Sequence, residues 1–333
     1  MIAIPRTSHG AVSLSRRTRR WLAFAMACAL LVPPALAAPA EAAGKPPPAP
    51  VANPPRTFDT ARKAADALIA AAGDYDVPAL KDILGPAGED LVVSEDVVQD
   101  RNQGAAFAAM ARQKSEVVPD PKSRNRAILL VGDEDWPLPI PIVRKDGRWS
   151  FDAKAGRKEI LHRRIGRNEL DAIEVCRGFV EAQHEYASQK RDGSAVNQYA
   201  QRIVSTPGKQ DGLAWRNPDG SWGGPVGEGI ARAIAEGYSD RREPYHGYYF
   251  KVLKGQGPAA PLGQLDFVLN GVMIGGFALV AAPADYRVTG VKTFLVSHDG
   301  VVYEQDLGPK TLELFRAMER FNPDKSWTPV DEP

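Results

Sequence analysis

The stretch NELDAIEVCRGFVEAQHEYA, residues 168–187, decides how the chain is organised. Leu170, Ile173, Cys176 and Val180 recur at spacings of three and four, which is one side of a helical period, and Ala172, Val175, Phe179 and Tyr186 widen the stripe. Asn168 is a good helix-capping residue, and Glu169 and Asp171 place negative charge at the positive end of the helix dipole. The spacing predicts a helix over 168–187 whose apolar face needs a second layer to cover it. Glu174, between the stripe residues, is expected to face solvent.

That layer lies downstream. HGYYFKVLK, FVLNGVM, GGFALVAAP and VKTFLVSHDGVVYEQDL read as strands, the last folded about Asp299-Gly300. A two-residue turn there pairs Val296 with Tyr303 and His298 with Val301, so Phe294, Val296, Val301 and Tyr303 are expected to form one apolar face. Short helices are expected at 197–204 and 230–236. A closing helix is expected over Pro309–Arg320, with Leu312, Phe315 and Met318 at core spacing. One long helix against an antiparallel sheet is an α+β layer.

Upstream, residues 154–167 carry Lys154, Arg157, Lys158, His162, Arg163, Arg164 and Arg167 against Glu159. This reads first as a solvated connector helix with Ile160, Leu161 and Ile165 inside, and second as a patch for anionic polymer or lipid headgroups. Before it, RAILLVG (126–132) and LPIPIVRKDGRWSFD (138–152) predict strands, with Asp146-Gly147 as a two-residue hairpin turn. That turn pairs Lys145 with Arg148, Arg144 with Trp149 and Ile142 with Phe151. Three helices are expected earlier: 58–72 capped by Asp59 or Thr60, 77–84 with Pro78 at a tolerated first position, and about 100–114.

The start of the chain is a targeting segment. Arg16, Arg17, Arg19 and Arg20 form a basic region, residues 21–32 an apolar run, and Ala35-Leu36-Ala37 a cleavage site of the small-residue type. A run of roughly twelve residues is too short for a bilayer, which needs about 20, so no integral membrane span is expected after cleavage. SRRTRRWLAF (15–24) approaches a twin-arginine signal without the usual aromatic after the first Arg pair. Cys28 lies inside the apolar run, outside a lipobox. The signal peptide is thus read as 1–37, a Pro/Ala linker as 38–56, and two domains as 57–153 and 154–330. Cleavage leaves Cys176 as the single thiol, so no internal disulfide can form. It also shifts the full-chain charge of +1 to about −4, and no nucleic-acid partner is expected. The destination is periplasmic or secreted.

Several long strings carry a family resemblance: WPLPIPIV, GRKEILHRRIGRNELDAIEVCRGFVEAQHEYA, STPGKQDGLAW, PYHGYYFKVLKGQGPAAP and GFALVAAPADYRVTGVKTFLVSHDGVVYEQDLG. Together with the signal and Pro-rich linker they resemble the bacterial exported family catalogued as domain of unknown function 2950, over about Phe58 to Val330. The resemblance implies no catalytic residue. Helices followed by a meander with a Trp-bearing strand also resemble nuclear-transport-factor-2-like or cystatin-like domains. The order of elements in the C-terminal half is similar to the globular part of type IV pilin-like proteins, without their N-terminal prepilin segment.

Chemistry-bearing residues are sparse. Cys176 and His184 lie about 12 Å apart along one helix, too far for a nucleophile and its base, which leaves His246 in PYHGYYF as the attractive partner of Cys176. A buried structural Cys is the plainer reading. Glu181 and His184 have the spacing of a carboxylate metal site in a single copy, where two are needed. No metal and no cofactor are expected. A binding groove is the better candidate, built from Tyr245, His246, Tyr248 and Tyr249 of one strand with Trp215 and Trp222 of the preceding Gly-rich loops. The leading functional expectation is a non-enzymatic envelope module that binds protein or cell-wall polymer. The alternatives are a cell-wall hydrolase using Cys176 or His246, and a small-ligand carrier with its cavity in the N-terminal domain.

Overall fold

A computed structural model describes residues 54–92, 97–227 and 244–331, the side chains of 97–99 excepted. The expected signal peptide, most of the expected Pro/Ala linker and the expected helix at 230–236 lie outside the described residues. The chain is α+β, mixing helices with antiparallel sheet. It divides into two units, Met1–Arg157 and Lys158–Pro333.

In the first unit, helices α1 (Ala61–Gly73), α2 (Val77–Leu84), α3 (Glu89–Val92) and α4 (Val97–Gln113) precede strands β1 (Ser115–Asp120), β2 (Ser123–Val131), β3 (Trp136–Pro137), β4 (Ile142–Lys145) and β5 (Arg148–Phe151). Thr60 caps α1 through Lys63 N–H at 3.1 Å, and Asp76 caps α2 through Ala79 N–H at 3.0 Å. Phe58, expected in α1, instead exchanges backbone bonds with Trp149 at 2.7 and 2.8 Å. The β4–β5 hairpin has the expected register, Lys145 opposite Arg148 and Ile142 opposite Phe151. Asp146 (φ 50°) and Gly147 (φ 79°) both take the left-handed region that this turn requires. Strand β1, which pairs with β2 along its whole length, has no strict apolar alternation to announce it.

The element over 168–187 is part of one longer helix, α5 (Ala153–Ala187). Asp152 starts it, its carboxylate accepting Ala155 N–H at 2.9 Å. Nothing between stops it, since Gly156 and Gly166 cost only about 1 kcal/mol each among strong helix formers. Lys154–Arg167 is therefore the first part of this helix, with Arg163 paired to Glu159 at 2.9 Å and Arg157 to Asp90. Ile160, Leu161 and Ile165 are half-buried.

The second unit carries short strands β6 (Trp215–Arg216) and β7 (Trp222–Gly223), then β8 (Tyr248–Leu253), β9 (Gly255–Gln256), β10 (Leu265–Asp266), β11 (Val268–Leu269), β12 (Val272–Met273), β13 (Ala278–Pro283), β14 (Thr293–Ser297) and β15 (Val302–Gln305). Helix α6 (Thr311–Ala317) and β16 (Thr328–Pro329) follow. The main sheet runs β16-β15-β14-β13-β8, all antiparallel, which leaves β8 at one edge.

The buried side of α5 is Ala172, Ile173, Cys176, Phe179, Ala182, Gln183 and Tyr186. Leu170 is 65% exposed, so the stripe is rotated from the expected one, which included it. Gln183 sits in this apolar row because both ends of its amide are satisfied by Ala200: Nε2 donates to Ala200 O and Oε1 accepts Ala200 N–H, each at 2.8 Å. That pairing also explains why 197–204 is irregular and not the expected helix. Ala200 is held by α5, and Arg202 and Ile203 accept from Leu213 and Ala214.

The β14–β15 register differs by one residue from expectation, with Val296 opposite Val302 and Leu295 opposite Tyr303. A tighter two-residue turn is replaced by a Ser297–Val301 loop, in which Asp299 accepts from Ser297 Oγ at 3.0 Å and Val301 N–H at 3.2 Å. The slip moves Tyr303 to the opposite face from Phe294 and Val296. There it meets Phe321, ring centroids 6.0 Å apart. The closing helix ends at Ala317, short of Arg320, because Phe321 N–H goes on to donate to Gly255 O at 3.0 Å.

Candidate functional site

Three polar residues near the middle of α5 tie the helix to loops at one end of the sheet. Asn168 donates to Thr289 O at 2.8 Å. Glu169 Oε1 accepts Val291 and Lys292 N–H at 2.8 and 3.1 Å. Asp171 Oδ2 lies 2.6 Å from His246 Nδ1. Sequence reading assigned these three to a helix cap and its dipole, yet in a helix already begun at Ala153 their side chains are available for long-range bonds.

His246 and Gly247 form the tip of a tight turn, with φ of 47° and 75°. Tyr245 and Tyr248 on either side exchange backbone bonds at 2.9 and 3.0 Å, which makes this a two-residue hairpin leading into β8. Asp171 orients the His246 ring as carboxylates do in His-based catalytic pairs.

Between α5 and β8 lies a cavity of about 490 Å³, walled by Val175, Gly178 and Phe179 of the helix, Ile203, and Phe250 and Leu279 of the sheet, with Tyr245 and Glu181 at its margin. The volume falls within the range of small-molecule and peptide sites, and its walls are mostly apolar. Gly178 leaves its part of the wall bare, because a Cβ placed there meets nothing within 4 Å among the described residues. A groove of about 400 Å³ adjoins it through the shared walls Ile203, Tyr245 and Phe250, running between Gln201–Val204 and Tyr248–Val252.

Of the aromatic residues proposed from sequence, Tyr245 and Tyr249 line this hollow together with Phe250. Tyr248 also reaches the groove wall but is 1% exposed, and its hydroxyl donates to Lys292 O at 2.9 Å. Burial pushes that hydroxyl far above the ordinary tyrosine range, so it remains a donor. Trp215 lies under the Arg191 guanidinium at 4.9 Å and Trp222 under Arg216 at 4.6 Å, and neither ring lines the hollow. The walls supplied by α5 and by Ile203 were missed in the sequence. Gly178, flanked by Val175 and Phe179 on the apolar side, is the signal that could have found them.

Cys176 is fully buried, and desolvation pushes its thiol up to about 12. His246 engages Asp171, which precedes Cys176 on the same helix by about 7.5 Å along the axis and roughly 140° around it. A thiol in this state is neither ionised nor reachable. With residues 1–37 removed, so that Cys176 is the single thiol, maleimide labelling is expected to be more than about a hundredfold slower in buffer than in denaturant, because it must wait for an opening of the helix. Labelling at the denatured rate would show that the helix face is open.

Glu181 and His184 are exposed, and the His184 ring rests edge-on to Phe277 at 5.5 Å. Among the described residues no group of three or more His, Cys, Asp or Glu stands together to hold a metal. No helix among them is long and apolar enough to cross a membrane. The first unit holds a cavity of about 30 Å³ beside Tyr75 and Leu84, room for about one water.

A family model described as protein of unknown function (DUF2950) matches residues 55–330. The chain belongs to that family. Its matched span takes in both units, including α5, the His246 turn and the walls of the hollow. No curated protein and no solved structure is significantly similar to the chain.

Proposed function

We propose that this DUF2950 chain is an exported binding or scaffold module of the bacterial envelope, and that its second unit takes a protein or cell-wall polymer at the hollow between α5 and β8. Periplasmic or secreted placement rests on the basic region, apolar run and cleavage site at 16–37, with the mature chain beginning near Ala38. The domains under this reading are 57–153 and 154–330. Helices followed by a meander support a nuclear-transport-factor-2-like reading of the first, and one long helix on an antiparallel sheet a pilin-like reading of the second.

The observation that carries the binding role is the pre-formed, mostly apolar cavity of about 490 Å³ bordered by Gly178, continuous with a groove along a sheet edge. A role in binding is favoured over hydrolysis by Cys176 because that thiol is sealed in the core.

The reading is tested by placing a photo-crosslinking side chain at Glu181, on the cavity margin, or at exposed Glu174 as a control, in cells making the full chain. Crosslinks to envelope material are expected from position 181 and not from 174. Gly178→Phe, which fills open space and removes a helical glycine, is expected to leave folding intact and to cut the crosslinks at least about tenfold. Equal yields from both positions, unaffected by Gly178→Phe, would overturn it.

A further inference from the structure

Strand β8 ends the sheet, and its backbone shows which groups face outward. Tyr248 spends both N–H and C=O on Tyr245, away from β13, and its opposite residue on β13 is Pro283, which has no N–H to give. In an antiparallel pair the direction alternates along the strand. Tyr249, Lys251 and Leu253 therefore bond to β13, while Phe250 and Val252 point their N–H and C=O to the open side. No hydrogen bond occupies those four groups among the described residues. They open onto the groove of about 400 Å³ whose far wall is Gln201–Val204. Side chains of Phe250, Tyr245 and Ile203 floor it.

At the end of the groove away from the His246 turn stands Lys254, whose Nζ donates to the neutral Gln201 Oε1 at 3.3 Å, while Arg202 is paired with Asp211 at 3.4 Å. A row of unpaired main-chain groups is complementary to another extended main chain. A second copy is a poor fit, since pairing β8 with itself about its centre would set Lys251 against Lys251.

We infer that β8 is a docking edge for an extended peptide segment of a partner protein, which adds to the sheet as a further strand and places an acidic residue beside Lys254. This rests on the reading of the second unit as a binding module and names the class of its ligand. Phe250 and Val252 supply the main-chain bonds, and the apolar walls take alternate side chains.

Two measurements on the mature chain decide it. By hydrogen exchange of the free protein, the amides of Phe250 and Val252 are expected to exchange at least about a hundredfold faster than those of Tyr249, Lys251 and Leu253. Equal protection at all five would mean that the edge is already paired, and would overturn the inference. The second uses an array of eight-residue peptides with alternating Val, Phe and Thr, ending in either Asp-Glu or Lys-Lys. Acidic-ended peptides are expected to bind at least about tenfold more tightly than lysine-ended ones. Val252→Pro removes an outward N–H while sparing the bonds to β13, and is expected to weaken binding about tenfold. N-methylation of one alternate set of peptide amides should abolish binding, and of the other set leave it. Binding indifferent to both methylated sets and to Val252→Pro, yet lost in Gly178→Phe, would overturn strand addition and leave the binding module standing. Failure of every peptide alongside intact Glu181 crosslinks would do the same, and failure of both experiments would remove both readings. A concentration-dependent dimer that Val252→Pro abolishes would assign the edge to a second copy and overturn the inference.

Discussion

Ile173→Ala is expected to lower the unfolding free energy by about 2–5 kcal/mol, while Glu174→Ala and Leu170→Ala each change it by no more than roughly 0.5 kcal/mol. Ile173 is 8% exposed in the core shared by α5 and the main sheet, whereas Leu170 is 65% exposed and Glu174 faces solvent. Removing the branched side chain costs its transfer free energy and adds a cavity term, because neighbouring Ala172, Cys176 and the rigid sheet face cannot collapse into the space. The Leu170 arm separates two faces of one helix. A face centred on Leu170 would make that substitution as costly as the one at Ile173. Denaturant unfolding of the three variants beside the parent is the measurement, and equal losses at 173 and 174 would place the helix in another register.

The rotation of that face shows what was legible in the sequence. Apolar spacing identified the helix, because Ile173, Cys176 and Phe179 repeat on one side whatever is packed there. It could not exclude Leu170, which shares the spacing but lies where the sheet does not reach. The start was missed for a related reason. Asn168, Glu169 and Asp171 are the residues of a cap, but here the Asn168 amide N–H donates to Thr289 O and the two carboxylates hold the Val291 and Lys292 amides and His246.

Turn chemistry had the same double character. Asp146-Gly147 determined its hairpin to the residue, since two left-handed positions leave one register. Asp299-Gly300 looks alike in sequence, but Ser297 and Val301 bond to the Asp299 carboxylate and stretch the loop, which slips the pairing and turns Tyr303 to the other face. Of the candidate site, the aromatic strand Tyr245–Phe250 was visible as composition. The hollow it borders was not, because a cavity consists of missing side chains, here that of Gly178 among them.

The other large effect is expected at a glycine with no left-handed geometry to explain it. A Cβ at Gly290 would stand 2.2 Å from Tyr248 Oη and 2.7 Å from its Cζ, far inside contact distance. The backbone there is held by Arg287 N–H, which donates to Gly290 O at 2.8 Å. The ring is confined in turn: it is 1% exposed, leans on Phe294 with centroids 5.9 Å apart, and donates to Lys292 O at 2.9 Å. Gly290→Ala must therefore displace the ring, at about 1–3 kcal/mol for overpacking and about 1–3 kcal/mol more for a buried hydroxyl torn from its acceptor. Tyr248→Phe alone, which deletes the hydroxyl with its bond, is expected to cost only about 0.5–1.5 kcal/mol. Combined with Gly290→Ala it should recover part of the loss, because the closest contact is gone while the Cζ contact stays. Unfolding of the two single variants and the double completes the cycle, with an expected coupling of at least about 1 kcal/mol. Additive losses would mean that the ring does not lie against Gly290. The start of β8, and with it the outward direction of Phe250 and Val252, would then need another anchor.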